Sequence, residues 1–134
     1  MTNDPLILSE SEFHILKESY KKSTLLTPHN QNRLCNELSN PKIVDRNNLP
    51  SNVVSLFSKV LLWNMSKGQN FTIKIVLVPT GSDKSIEISS YDPLAVALLG
   101  YREGSIIEWE FGDEIERFKI LSVSRIEGTS KIYS

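Results

Sequence analysis

The chain has 134 residues, with 15 Lys and Arg against 16 Asp and Glu, a formal net charge of −1 and 40% hydrophobic residues. That length suits one modest domain with a small appendage, and the apolar fraction is enough for a packed core, which excludes wholesale disorder. No basic excess is available for phosphate binding, overall or in either part: six basic and six acidic side chains in 1–50, nine and ten in 51–134. Nucleic acid is therefore disfavoured as the primary partner.

In chain order, residues 9–40 carry helical signals. Ser9 and Glu12 have the spacing of a capping box, which satisfies orphan amides at a helix start. Phe13, Leu16 and Tyr20 then recur on one helical face, and Lys17, Lys21 and Lys22 complement the dipole near the helix end. A break is expected at Ser23–Thr27. Pro28, behind Thr27 as N-cap, opens a second helix through Arg33, Leu34 and Leu38, which Asn40-Pro41 ends. The two helices predict a short antiparallel hairpin over residues 1–48.

Strand signals dominate from about residue 50. Val53–Trp63 and Phe71–Pro79 are rich in apolar and β-branched residues, with Gly68 in the connection between them. Thr80–Asp83 predicts a turn, and Ser85–Ser90 a short third strand. Asp92-Pro93 then opens a brief helix through Leu99, closed by Gly100. Ile107, Trp109 and Phe111 alternate with Glu108 and Glu110, and Gly112-Asp113 turns the chain into a partner strand over Ile115–Ile126. A tail strand is expected at Lys131–Tyr133. The layout is α+β with an antiparallel sheet and one short helix over 49–134.

Several chemistries drop out. Cys35 is the single cysteine, which removes an internal disulfide, and it reads as a small buried or half-buried side chain. The N-terminus lacks a secretory pattern, and no apolar run reaches the roughly 18 residues of a membrane span. A soluble, cytoplasmic protein is expected, so the sequons at Asn64 and Asn70 read as chance matches. His14 and His29 have no companion ligands, and neither a nucleophile elbow nor a phosphate loop is present. Glu108, Glu110, Asp113, Glu114 and Glu116 crowd one hairpin. A solvated strand face explains them more simply than a metal site or a basic-partner patch. Gly100 and Gly104 read as turn residues with positive φ. No catalytic residue, metal or cofactor is expected.

Leu49–Ser55 before the first strand, Val76–Pro79 at the end of the second, Ile88–Pro93 leading into Ala97–Gly100, and then Gly104 stand in an order that resembles the C-terminal domain of the Gre transcript-cleavage factors. The short branch typified by Rnk, the regulator of nucleoside diphosphate kinase, has a similar layout with a short helical hairpin in front. The resemblance implies an FKBP-like domain that docks on bacterial RNA polymerase at the coiled coil beside the secondary channel. It places the docking surface at Ser89, Ser90, Tyr91, Asp92 and Pro93. Asp92 caps the short helix and is able to face a basic partner, and Tyr91 has the character of an interface anchor.

Two departures from the family pattern shape the expected function. Gre factors use a long coiled coil with acidic residues at its tip. Here each helix has about twelve residues, about 18 Å of reach, and the tip from Tyr20 to Asn30 carries Lys21, Lys22 and His29 but no acid. A metal ion needs oxygen ligands, so stimulated RNA cleavage is not expected. Ser105 stands where the family usually has aspartate. The leading expectation is a non-enzymatic polymerase-binding regulator. The alternatives are a prolyl isomerase, with Trp63, Trp109, Phe111 and Phe118 as candidate pocket residues, and an interaction module with another partner.

Overall fold

A computed structural model describes residues 5–22, 26–79, 86–111 and 113–126. Strand β1 (Ile7–Leu8) leads into helix α1 (Glu10–Lys21). The Glu12 carboxylate reaches back to the Ser9 N–H at 3.1 Å and also accepts from the Ser9 hydroxyl, so the predicted capping box forms. The buried face of α1 runs through Glu12, Ile15, Leu16 and Ser19, with Phe13 and Tyr20 packed at its margin. Helix α2 (Pro28–Leu38) starts where Thr27 Oγ1 accepts the Asn30 N–H at 3.2 Å, with Pro28 in the first turn as expected. Strand β2 (Lys42–Ile43) then pairs in parallel with β1, and one 3-10 turn follows at Arg46–Asn48.

The main sheet has five strands in the order β5-β4-β3-β7-β6. They are β3 (Ser58–Asn64), β4 (Gln69–Val76), β5 (Ile86–Ser89), β6 (Ile106–Phe111) and β7 (Glu114–Arg125), with helix α3 (Pro93–Leu98) after β5. Alternation puts Val60, Leu62, Ile73, Ile75, Ile107, Trp109, Phe118 and Ile120 on the face covered by the helices. Ile15, Leu16 and Leu34 join the same buried cluster, so core residues come from both sides of residue 49.

The antiparallel expectation needs correction. β5 runs parallel to β4, with Val76 opposite Ser89. Nine residues (77–85) separate the two strands. At about 3.3 Å per residue they are long enough to carry the chain back along a four-residue strand. The expected turn at 80–83, Gly112 of the tight turn, part of the break at 23–27 and the tail strand at 131–133 lie outside the described residues.

The first strand also begins later than expected, at Ser58 rather than Val53. Val54 instead donates to Tyr101 O and accepts from Gly100 N, both at 2.9 Å. Phe57 sits at φ 67°, outside the β region. Side chains hold this irregular stretch. Glu12 accepts the Leu56 N–H at 3.1 Å, Arg46 donates to Leu56 O at 3.2 Å, and Arg125 reaches Ser58 Oγ at 3.0 Å and Pro50 O at 3.2 Å.

Helix α2 lies along the outer edge of β6. The Asn30 amide donates to Glu110 O and accepts from Glu110 N, both at 2.8 Å, and so imitates one rung of a strand ladder. Arg33 donates to Glu108 O, the next outward carbonyl, and to Tyr101 Oη at 2.8 Å. Tyr101 in turn donates to Glu37 at 2.7 Å. Burial, more than its charged neighbours, raises the Tyr101 pKa well above the usual tyrosine value and keeps the hydroxyl a donor. Exposed sheet edges invite unwanted pairing, and here side chains occupy the free backbone groups. Asn30→Ala is expected to cost about 1–3 kcal/mol. Amide hydrogen exchange at Glu110 should accelerate more than at Ile107, and equal acceleration at both would refute the edge-capping role.

Candidate functional site

The predicted binding residues form one turn between β5 and α3. Ser89 accepts the Tyr91 N–H on its hydroxyl at 3.1 Å and the Asp92 N–H on its carbonyl at 2.9 Å. Ser90 is fully buried. Its N–H donates to Val76 O at 2.9 Å, while its Oγ has no hydrogen-bond partner among the described residues. With Ser90 turned inward and Ser89 half-buried, the chain presents Tyr91, which is 43% exposed, and Pro93. Asp92 sits half-buried between them, accepting the Leu94 N–H at 3.0 Å as N-cap of α3. A carboxylate has lone pairs to spare beyond that one bond, so Asp92 keeps acceptor capacity while it caps the helix. Tyr91 and Pro93 are exposed, Ser89 and Asp92 are half-buried, and Ser90 supports the turn from behind.

The sequence pattern did not nominate two neighbours. Leu77 and Val78 follow the last paired residue of β4 and are 43% and 77% exposed. The parallel register puts the end of β4 beside Ser89–Ser90, so these two exposed apolar residues leave the strand next to that turn. The available signal was the break in alternation: four consecutive apolar residues, Ile75 to Val78, before Pro79.

The other candidates separate. Among the described residues no group of three or more His, Cys, Asp or Glu side chains could hold a metal. Glu108 pairs with Arg117 at 2.8 Å, and that hydrogen bond lowers the Glu108 pKa. Glu116 is nearly buried, accepts from Asn64 Nδ2 at 2.9 Å and lies 3.4 Å from Lys67 Nζ. Asn64 of the first sequon is thus engaged inside the fold. His29 lies in α2 and not in a loop, and both histidines are exposed. Cys35 is exposed too, against the expectation of burial, because it falls on the side of α2 turned away from Leu34. The four aromatics considered for an isomerase pocket do not line one together: Trp109 and Phe118 fill the core, Phe111 packs edge-on against Phe118 with ring centroids 5.7 Å apart, and Trp63 lies on the opposite face of the sheet. Ser105 is buried at the turn before β6, where its N–H donates to Arg102 O at 3.1 Å and its carbonyl accepts from Ile120 at 2.9 Å.

Residues 49–125, more than half of the chain, match the family model described as transcription elongation factor, GreA/GreB, C-terminal. The chain belongs to the Gre family. Transcription elongation factor GreA of Clostridium beijerinckii is 31% identical over 93 residues, 69% of this chain and 58% of that protein. GreA of Acetivibrio thermocellus gives the same identity and coverage. The chain thus spans somewhat more than half the length of these relatives. A solved structure, prokaryotic transcription elongation factor GreA/GreB from Nitrosomonas europaea, is 28% identical with a TM-score of 0.60. That alignment covers 91% of this chain and 99% of the solved one. The Gre-family match includes the whole β5–α3 turn and every strand of the main sheet.

Proposed function

We propose that this protein is a non-catalytic transcription regulator that binds bacterial RNA polymerase near the secondary channel, as a short, Rnk-like member of the Gre family with an FKBP-like C-terminal domain. The observation that carries the reading is the Tyr91-Asp92-Pro93 turn, with Tyr91 and Pro93 exposed on either side of Asp92, set inside the Gre-matching segment. Apolar side chains around one carboxylate suit a basic, partly apolar protein surface. The tip between α1 and α2 contains no acidic residue from Ser19 to Asn36. It therefore supplies no carboxylate for a metal ion, and transcript cleavage is not part of the proposed role. No helix among the described residues is long and apolar enough to cross a membrane, and a cytoplasmic location is part of the proposal.

Co-purification with core RNA polymerase at low salt tests it. Asp92→Asn keeps an N-cap acceptor while removing the charge. It should weaken polymerase binding about tenfold with little change in melting temperature. Tyr91→Ala should weaken binding to a similar degree. Wild-type protein that fails to bind polymerase, or that stimulates RNA cleavage in a stalled complex, overturns the reading.

A further inference from the structure

Among the described residues the helices cover one face of the sheet and leave the other open, and charge is sorted across that open face. On the outward face the three central strands carry Lys59 (β3), Lys74 (β4), and Arg117 and Lys119 (β7), with no carboxylate. The outward acids stand on the flanking strands, as Glu87 on β5 and as Glu108 and Glu110 on β6. In a chain whose net charge is −1, this is a local cationic surface. Its middle is apolar. Trp63, 37% exposed, lies in one row with Lys119 and Ile106, and Leu61 and the bulge residue Leu121 continue the patch.

We propose that this open face is a docking surface for an acidic, amphipathic segment of a protein, with its apolar side chains over Trp63, Leu61 and Leu121 and its carboxylates toward Lys59 and Lys119. A second copy of this chain fits poorly, because face-to-face pairing would set the same cations against each other. Single-stranded nucleic acid also fits less well. Arg117 is spent on Glu108 at 2.8 Å and Lys74 has a partner of its own, which leaves Lys59 and Lys119 as the outward cations of these strands without an ion pair among the described residues. Two cations are few for phosphate binding, and the aliphatic side chains around a single indole gain little from bases. Against an acidic protein segment the same side chains form an apolar centre with a complementary charged rim. This surface is separate from the Tyr91–Pro93 turn.

Trp63 provides the readout, since Trp109, the other tryptophan, is 2% exposed. The probe is a labelled helical peptide with leucine along one face and glutamate on the other, followed by anisotropy and by tryptophan emission. Binding should shift the Trp63 emission to the blue and weaken as salt rises. Lys119→Glu and Trp63→Ala should each weaken it at least about tenfold. Lys42→Glu, on the exposed strand β2, should change it less than about twofold. Equal binding of a peptide with lysine in place of glutamate overturns the proposal. So does tighter binding of a twelve-nucleotide oligouridylate, or a dimer in sedimentation that Lys119→Glu dissolves. Far-UV circular dichroism of each variant shows that loss of binding is not loss of fold.

Discussion

Glu12→Ala is expected to lower the stability of the fold by about 2–4 kcal/mol, a fall of roughly 5–15 °C in melting temperature for a chain of this size. The Glu12 side chain is fully buried and serves three parts of the chain at once: the Ser9 N–H that begins α1, the Leu56 N–H of the irregular stretch, and Arg46 at 3.0 Å. Removing it leaves two backbone donors without an acceptor. Arg46 is 40% exposed and recovers water, which keeps the loss below that of a fully buried ion pair. Burial alone would raise the Glu12 pKa; the Ser9, Leu56 and Arg46 contacts outweigh it and hold the carboxyl below its usual 4.5. The carboxylate thus contributes stability that is complete above the ordinary glutamate range and is lost as pH falls through the lowered folded value. Acid titration of the melting temperature should show this drop in wild type and a shallower one in Glu12→Gln. Parallel curves would contradict the assignment.

Gly100→Ala is expected to cost about 3 kcal/mol or more, and Gly104→Ala only about 1 kcal/mol. Both glycines have positive φ, 89° and 90°. They differ in their surroundings. A Cβ on Gly100 would lie 2.7 Å from Leu8 Cδ2 and 3.0 Å from Leu6 Cβ, whereas one on Gly104 would meet nothing within 4 Å. Gly100 also accepts the Ile7 N–H at 3.2 Å and donates to Val54 at 2.9 Å. A side chain there would push β1 off the core, and urea unfolding of the two variants separates backbone strain from collision. Equal losses would show that φ alone decides.

Much of the architecture could be read from the residues, because local chemistry dictated it. The capping box at Ser9, Pro28 behind Thr27, Asp92-Pro93 before α3 and the alternation through Ile107, Trp109 and Phe111 each report a local requirement that the fold keeps. Features set by distant partners stayed hidden. β1 and β2 are two residues each, too short for any period to register. Val53–Leu56 have strand-like side chains, yet their backbone groups are taken by Tyr101, Gly100 and Glu12. At the candidate site the order of residues located the turn, but which side chains point outward depended on Ser90 folding under Val76, a parallel pairing no local pattern announces. Asn30 looked like an ordinary helix residue; its partner lies 80 positions away.

That distant pairing has a mechanical consequence. A helical arm joined to its domain only by a linker sweeps a cone, and its end finds a target by searching. Asn30 and Arg33 grip the rim of the sheet at two points along α2, and two points fix a direction. Wherever the β5–α3 turn is anchored, the bearing and reach of Lys21 and Lys22 follow from it, as the hand of a clock follows from its hub.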